Sequence, residues 1–184
     1  MDRELERILD DGYLTGLPDR SVAELRSLRA QCQSLETKLS YLRRLAQGRH
    51  DIVTGEIERR LHGGDPDDVA GLVARLPEIL ADRTRGTGPG RLSTTLEPGE
   101  LSGVLVDRFE AIAEAIPLDA PDAITDDHLA EAAEQLAALE GEVSGLRRAM
   151  FERIDTVESE LTRRYRDGEA QVDDLLASAV AEEP

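Results

Sequence analysis

The chain has no tryptophan, two phenylalanines and three tyrosines among its 184 residues. Aromatic rings supply much of the buried area of an ordinary core, so their scarcity argues against a thick interior and predicts thin apolar seams. Cys32 is the single cysteine, which excludes a disulfide framework within the chain and fits a reducing compartment. No apolar run approaches the roughly 18 residues that a membrane span needs. The N-terminal MDRELERILDD is too acidic for a secretory leader. Positive charge is also scarce: 22 Lys and Arg face 39 Asp and Glu, for a net charge of −17. That balance argues against direct DNA binding, which calls for a basic face, and suits a basic protein partner drawn in by charge. A cytoplasmic protein without membrane association is the expectation.

What is abundant is Ala, Leu, Glu and Arg at helical spacing. Ser21 and Glu24 form an S-x-x-E capping box, in which each side chain satisfies a backbone N–H at a helix start. Apolar residues follow from Val22 through Leu35, Leu39, Leu42, Leu45, Val53, Ile57 and Leu61, in the steps of a helix lying against another helix. Gly63-Gly64 ends the run. A matching stretch starts near Thr125, with Asp126 and Asp127 beside the positive end of its dipole, and runs through Leu136, Val143, Met150 and Leu161 to Asp167-Gly168. Between them, residues 65–77 suggest a short helix limited by Pro77, residues 82–100 a Gly/Pro/Thr-rich flexible linker, and Leu101 to Ile116 a second short helix. The expected fold is all-α: one helical domain over 1–184, built as an antiparallel coiled-coil hairpin. Long helices over 21–62 and 124–167 would be joined by the connection 63–123.

The two long segments also share a polar pattern. Residues 36–61 align without a gap on residues 140–165. The identities include Glu36/Glu140, Ser40/Ser144, Arg43/Arg147, Arg44/Arg148, Arg49/Arg153, Asp51/Asp155 and Glu56/Glu160. Charged surface positions of a simple coiled coil are usually interchangeable, so this exceeds generic helical composition. At about 100° per residue, Glu36, Ser40, Arg43, Gln47 and Asp51 fall within an arc of roughly 80°. They form one ribbon at the edge of the leucine seam. In an antiparallel pair, two such ribbons admit an approximate two-fold relation and favour a two-fold ligand. Arg donates two hydrogen bonds to guanine O6 and N7, a carboxylate accepts from guanine N1 and N2, and Ser suits ribose or phosphate oxygens. A guanine nucleotide fits that set. An interhelical salt-bridge ladder fits the same residue types.

The pattern E-x3-S-x2-R-x3-Q-x3-D, complete in Glu36/Ser40/Arg43/Gln47/Asp51, resembles the signature of the RsiG family of actinobacterial anti-sigma factors. YLTGLPDRSVAELRSLR, LSYLRRLAQGRHDIV and the tail ERIDTVESELTRRYRDGEAQVDDLL are similar to that family too. The resemblance implies a helical hairpin that binds a dimer of cyclic di-GMP, one motif from each long helix. It also implies that the liganded protein sequesters a flagellar-type sporulation sigma factor, WhiG, and so regulates transcription; a monomer before sigma binding is the expectation. Carried over by position, Glu36, Ser40, Arg43, Gln47, Asp51, Glu140, Ser144, Arg147 and Asp155 would be ligand contacts. Arg44 and Arg148 would be secondary contacts that neutralise phosphate. Phe151 stands where the motif has Gln, and offers a ring for packing in place of an amide. No enzymatic activity is implied. The alternative is a constitutive coiled-coil adaptor that binds no nucleotide.

Other signals weigh less. HGGDPDD over 62–68 is faintly similar to the GGDEF signature of cyclic di-GMP synthases, but follows a helix where that motif needs a β-hairpin. His50, His62 and His128 lack metal-ligand spacing, and Cys32 reads as a packed or surface thiol. Arg59-Arg60 and Arg163-Arg164 read as solvated charge. Leu5, Ile8, Leu9, Tyr13 and Leu14 suit either docking on sigma or folding back on the hairpin.

Overall fold

A computed structural model describes residues 1–63, 102–117 and 124–168 of the chain. The short helix expected over 65–77 and the linker 82–100 lie outside these residues. Within them the elements are α1 (Asp2–Leu9), a 3₁₀ turn (Leu17–Asp19), α2 (Val22–Leu61), α3 (Val104–Ala115) and α4 (Asp126–Arg166). All are helical, as the spacing predicts. The two long helices have 40 and 41 residues, each about 60 Å at 1.5 Å per residue.

Local chemistry accounts for where they begin and end. Ser21 N and Oγ donate to Glu24 Oε2, both at 2.7 Å, and Glu24 N donates back to Ser21 Oγ at 3.2 Å, completing the capping box. Thr125 Oγ1 accepts from His128 N at 3.3 Å, so α4 opens on the equivalent but weaker cap. At the far ends, Gly63 and Gly168 take the left-handed φ values of 80° and 74° that stop a helix, a conformation only glycine adopts without strain.

The chain divides into two compact units: Thr37–Leu146 with Met1, and Asp2–Glu36 with Arg147–Pro184. Each long helix contributes one segment to each unit. In the first unit Arg43 meets Glu140 and Arg60 meets Asp126, so advancing along α2 means retreating along α4. In the second, Arg26 meets Tyr165 and Glu36 meets Arg147, with the same sense. The long helices therefore form the antiparallel hairpin that the sequence predicts. Leu39, Leu42 and Val53 are fully buried in the first unit, as are Leu136, Leu139 and Val143. Leu25, Leu35 and Cys32 are fully buried in the second, with Met150 and Val157. The seam is thin and aliphatic, as a chain poor in aromatics requires. Leu45 and Leu61, assigned to it by spacing, are instead exposed, because each falls at the seam's outer margin or at the helix end.

Each unit adds one short helix. In the second, α1 folds back on the hairpin: Ile8 is fully buried, Tyr13 and Leu17 nearly so. In the first, α3 buries Leu105, Val106 and Ile112. One arginine of the repeat holds each short helix by its C-terminal carbonyls, groups that no helix satisfies internally. Arg153 Nε and Nη2 donate to Ile8 O at 2.6 Å and Leu9 O at 2.9 Å. Arg49 Nη2 donates to Ala113 O at 2.7 Å and also to Ile116 O.

Candidate functional site

In the first unit the motif residues of the two helices meet. Arg43 Nε donates to Glu140 Oε1 at 2.7 Å and to Ser144 Oγ at 2.9 Å. Gln47 Nε2 and Ser144 Oγ donate to the same carboxylate oxygen, at 3.1 and 3.0 Å. Glu140 Oε1 thus collects three donors, two from the facing helix and one from its own. The spacing explains it: Ser144 follows Glu140 by four residues, and Gln47 follows Arg43 by four, so each pair lies on one helix face. Arg43 uses only Nε, and its two terminal nitrogens have no protein acceptor among the described residues. Glu140 Oε2 is likewise without a donor there.

The second unit repeats the arrangement with the helices exchanged. Arg147 of α4 donates to Glu36 of α2, Nη2 at 3.0 Å and Nε at 3.3 Å to Oε1. Phe151 packs beneath it, the guanidinium carbon lying 5.5 Å from the ring centroid. The ring occupies the position of the motif glutamine and holds the arginine's plane by cation–π attraction instead of offering a hydrogen bond. Gln47 in the first unit does the opposite, donating to the carboxylate.

The ribbon expected at the edge of the seam is therefore partly drawn across it. Glu36 is 4 % exposed, whereas the side chains of Arg43 and Arg147 keep 33 % and 22 %. Ser40 is half-buried. The last motif position differs between copies: Asp51 is buried, with its carboxylate 3.7 Å from His50 Nδ1, and Asp155 is exposed. Arg44 and Arg148 are exposed in their respective units. The motif thus supplies two arginine–carboxylate clusters, each half-open, with unequal trimmings.

Further along the repeat, the expectation of solvated Arg59-Arg60 and Arg163-Arg164 is corrected. Arg59 and Arg164 are buried. Glu56 accepts from Arg59 and Arg60 at 2.7–2.8 Å, and Glu160 from Arg163 and Arg164 at 2.8–3.0 Å. Arg60 Nη1 continues to Ile124 O and Asp126, and Arg164 Nη2 to Leu17 O and Pro18 O. These arginines tie each long helix to the segment that precedes the other. Burial works to raise the Glu56 pKa, but the hydrogen bonds from Arg59 and Arg60 outweigh it and the carboxyl lies below its ordinary range. Arg163 and Arg164 hold the Glu160 carboxyl down to about 2. Cys32 is fully buried, and burial, first among its causes, pushes its thiol pKa up, which makes it an inert packing group.

Among the described residues the fold is a helical hairpin with arginine–carboxylate clusters on its long helices. The chain matches the RsiG-like family over residues 11–80 and 116–179 and belongs to it. That is a regulatory family, and membership carries an anti-sigma-factor role in general, with a sigma factor as partner. No curated protein matches the chain. No helix among the described residues is long and apolar enough to cross a membrane.

Proposed function

We propose that this protein is an anti-sigma factor that grips its sigma factor when cyclic di-GMP is bound. Each cluster would receive one molecule of the nucleotide, and the partner would be a flagellar-type sporulation sigma factor of the WhiG kind. The observation that carries the reading is the exchange between units. Each sets a motif arginine of one long helix beside a motif glutamate of the other, with arginine donors still unmatched. A guanine base takes both groups at once. Its O6 and N7 accept from the arginine fork, and its N1 and N2 donate to the carboxylate.

Entry of the base requires the Arg–Glu pairs to loosen. The Arg43–Glu140 pair is part-exposed on both sides and worth only about 0–1 kcal/mol, whereas Glu36 is buried, so a base that takes Arg147 from it must replace the hydrogen bonds it gives up. Arg44 and Arg148, exposed in their units, neutralise the phosphates that an acidic protein would otherwise repel. A nucleotide held between clamp and sigma adds contacts that neither protein has alone, which makes sequestration conditional on the signal.

The cross-helix pairs themselves favour a second reading, a constitutive adaptor in which Arg43–Glu140 and Arg147–Glu36 serve only as ties. Sigma binding measured with and without cyclic di-GMP separates the two. The preferred reading predicts a complex that depends on the nucleotide, and predicts that Arg43→Ala and Arg147→Ala each weaken nucleotide binding by about 1–3 kcal/mol, the value of a bidentate Arg–guanine pair. An adaptor binds its partner equally in both conditions, and both variants leave that binding unchanged.

A further inference from the structure

The charged identities of the repeat begin at Glu36 and do not extend before it. Arg29 precedes Glu36 by two helical turns on the same ribbon, and Arg26 by a further turn. At the repeat's own offset their counterparts on α4 are Ala133 and Ala130, which carry methyl groups and no donor. In the second unit the two arginines line a cleft of about 370 Å³ with Glu158, Leu161, Thr162 and Tyr165. Leu161 is buried and floors it. Arg26 Nη2 donates to Tyr165 Oη at 2.5 Å, which fixes one wall. Arg29 Nε is buried and has no acceptor.

A buried guanidinium N–H without an acceptor is rare, since it has given up water and gained nothing. Arg29 also lines the cleft, so a small shift of its guanidinium toward the cleft would give this N–H an acceptor brought by another molecule. Two arginines and one glutamate leave the cleft with a single net positive charge, which suits a carboxylate better than a doubly charged phosphate. A single charged contact of this kind holds a free acid only weakly. A carboxylate anchored on a basic protein is carried in by the attraction between the two proteins. We propose that this cleft receives an aspartate or glutamate side chain of the sigma factor, with Arg29 as its hydrogen-bonding ion partner. The contact exists on one copy of the repeat only, so it distinguishes the two copies for an asymmetric partner. The inference rests on the sigma-binding role, and its residues are separate from those assigned to the nucleotide.

The test uses the full chain and its Arg29→Glu variant, with far-ultraviolet circular dichroism to establish that both are equally helical. Two titrations are made for each, one with cyclic di-GMP alone and one with a purified flagellar-type sporulation sigma factor in the presence of cyclic di-GMP. The expected result is unchanged nucleotide uptake, with sigma affinity falling by about tenfold to a hundredfold, the range for a charged hydrogen bond. An acidic-to-lysine scan of the sigma factor should then yield one position that restores binding to Arg29→Glu. Sigma binding equal to that of the unaltered chain overturns the proposal. So does loss of nucleotide uptake, which would assign the cleft to the ligand. Failure of the unaltered chain to bind sigma refutes the functional reading and this inference together, before any substitution is made.

Discussion

The two compact units are built from the same parts and held with different security. In the second, Arg153 engages all three of its nitrogens, adding Ala149 O at 3.3 Å to the two carbonyls of α1. In the first, Arg49 works through one nitrogen, and its Nε is buried without an acceptor. Burial alone lowers the Arg49 pKa. The same residue at the same place in the repeat therefore completes its hydrogen bonding in one unit and leaves it incomplete in the other. The carboxylates differ in the opposite sense. Glu56 in the first unit is 2 % exposed with two arginines upon it, and Glu160 in the second is more open. A repeated sequence fixes which groups meet, while the surrounding packing decides how much each meeting contributes.

The largest expected effect tests that carboxylate contrast. Glu56→Ala leaves the nearly buried Arg59 and Arg60 without their shared partner, and breaking a buried pair in this way costs about 3–5 kcal/mol. Urea unfolding should show that loss, and Glu160→Ala should show a smaller one. Equal losses would mean that burial is not what separates the two copies.

A smaller effect tests the arginine clasps. Arg153→Met orphans the Ile8 and Leu9 carbonyls and should cost about 1–3 kcal/mol. Arg49→Met removes a guanidinium that already carries an unmet donor, so part of its loss is returned. Hydrogen exchange should accordingly rise more in α1 for Arg153→Met than in α3 for Arg49→Met. The reverse order would contradict the difference drawn between the units.

How much of this was legible in the sequence varied with the range of the interaction. The capping box at Ser21, the leucine seam and the stop at Gly63 are local, and each followed from residues within a turn of one another. The motif could be read because it is written twice, at an interval that places Glu36 opposite Arg147 and Arg43 opposite Glu140. The clasps of Arg49 and Arg153 could not. Their identity in the repeat was visible, but their acceptors are carbonyls of segments about 64 and 145 residues distant, and carbonyls have no sequence signature. The same gap explains why Arg59 and Arg164 looked solvated, since nothing nearby in the sequence announces the neighbours that bury them. The docking of α1 was undecided for a related reason: an amphipathic segment shows that it needs a partner and not which one.

The smallest expected effect is one of pH. Glu160 titrates near 2 in the folded chain against an ordinary 4.5. Its ties to Arg163 and Arg164 therefore stabilise fully above the ordinary value and are lost as pH falls from there toward 2. Thermal unfolding of Glu160→Gln and the unaltered chain should differ near neutral pH and converge in acid. A constant difference across that window would mean the carboxylate is not held by the two arginines.

Calorimetric titration with cyclic di-GMP, against GTP and cyclic di-AMP, bears most directly on the paired clusters. The account predicts selective uptake of cyclic di-GMP approaching about two molecules per chain, one for each arginine–carboxylate cluster. No heat from any of the three, or the same heat from all, would contradict it and leave the clusters as ties between helices.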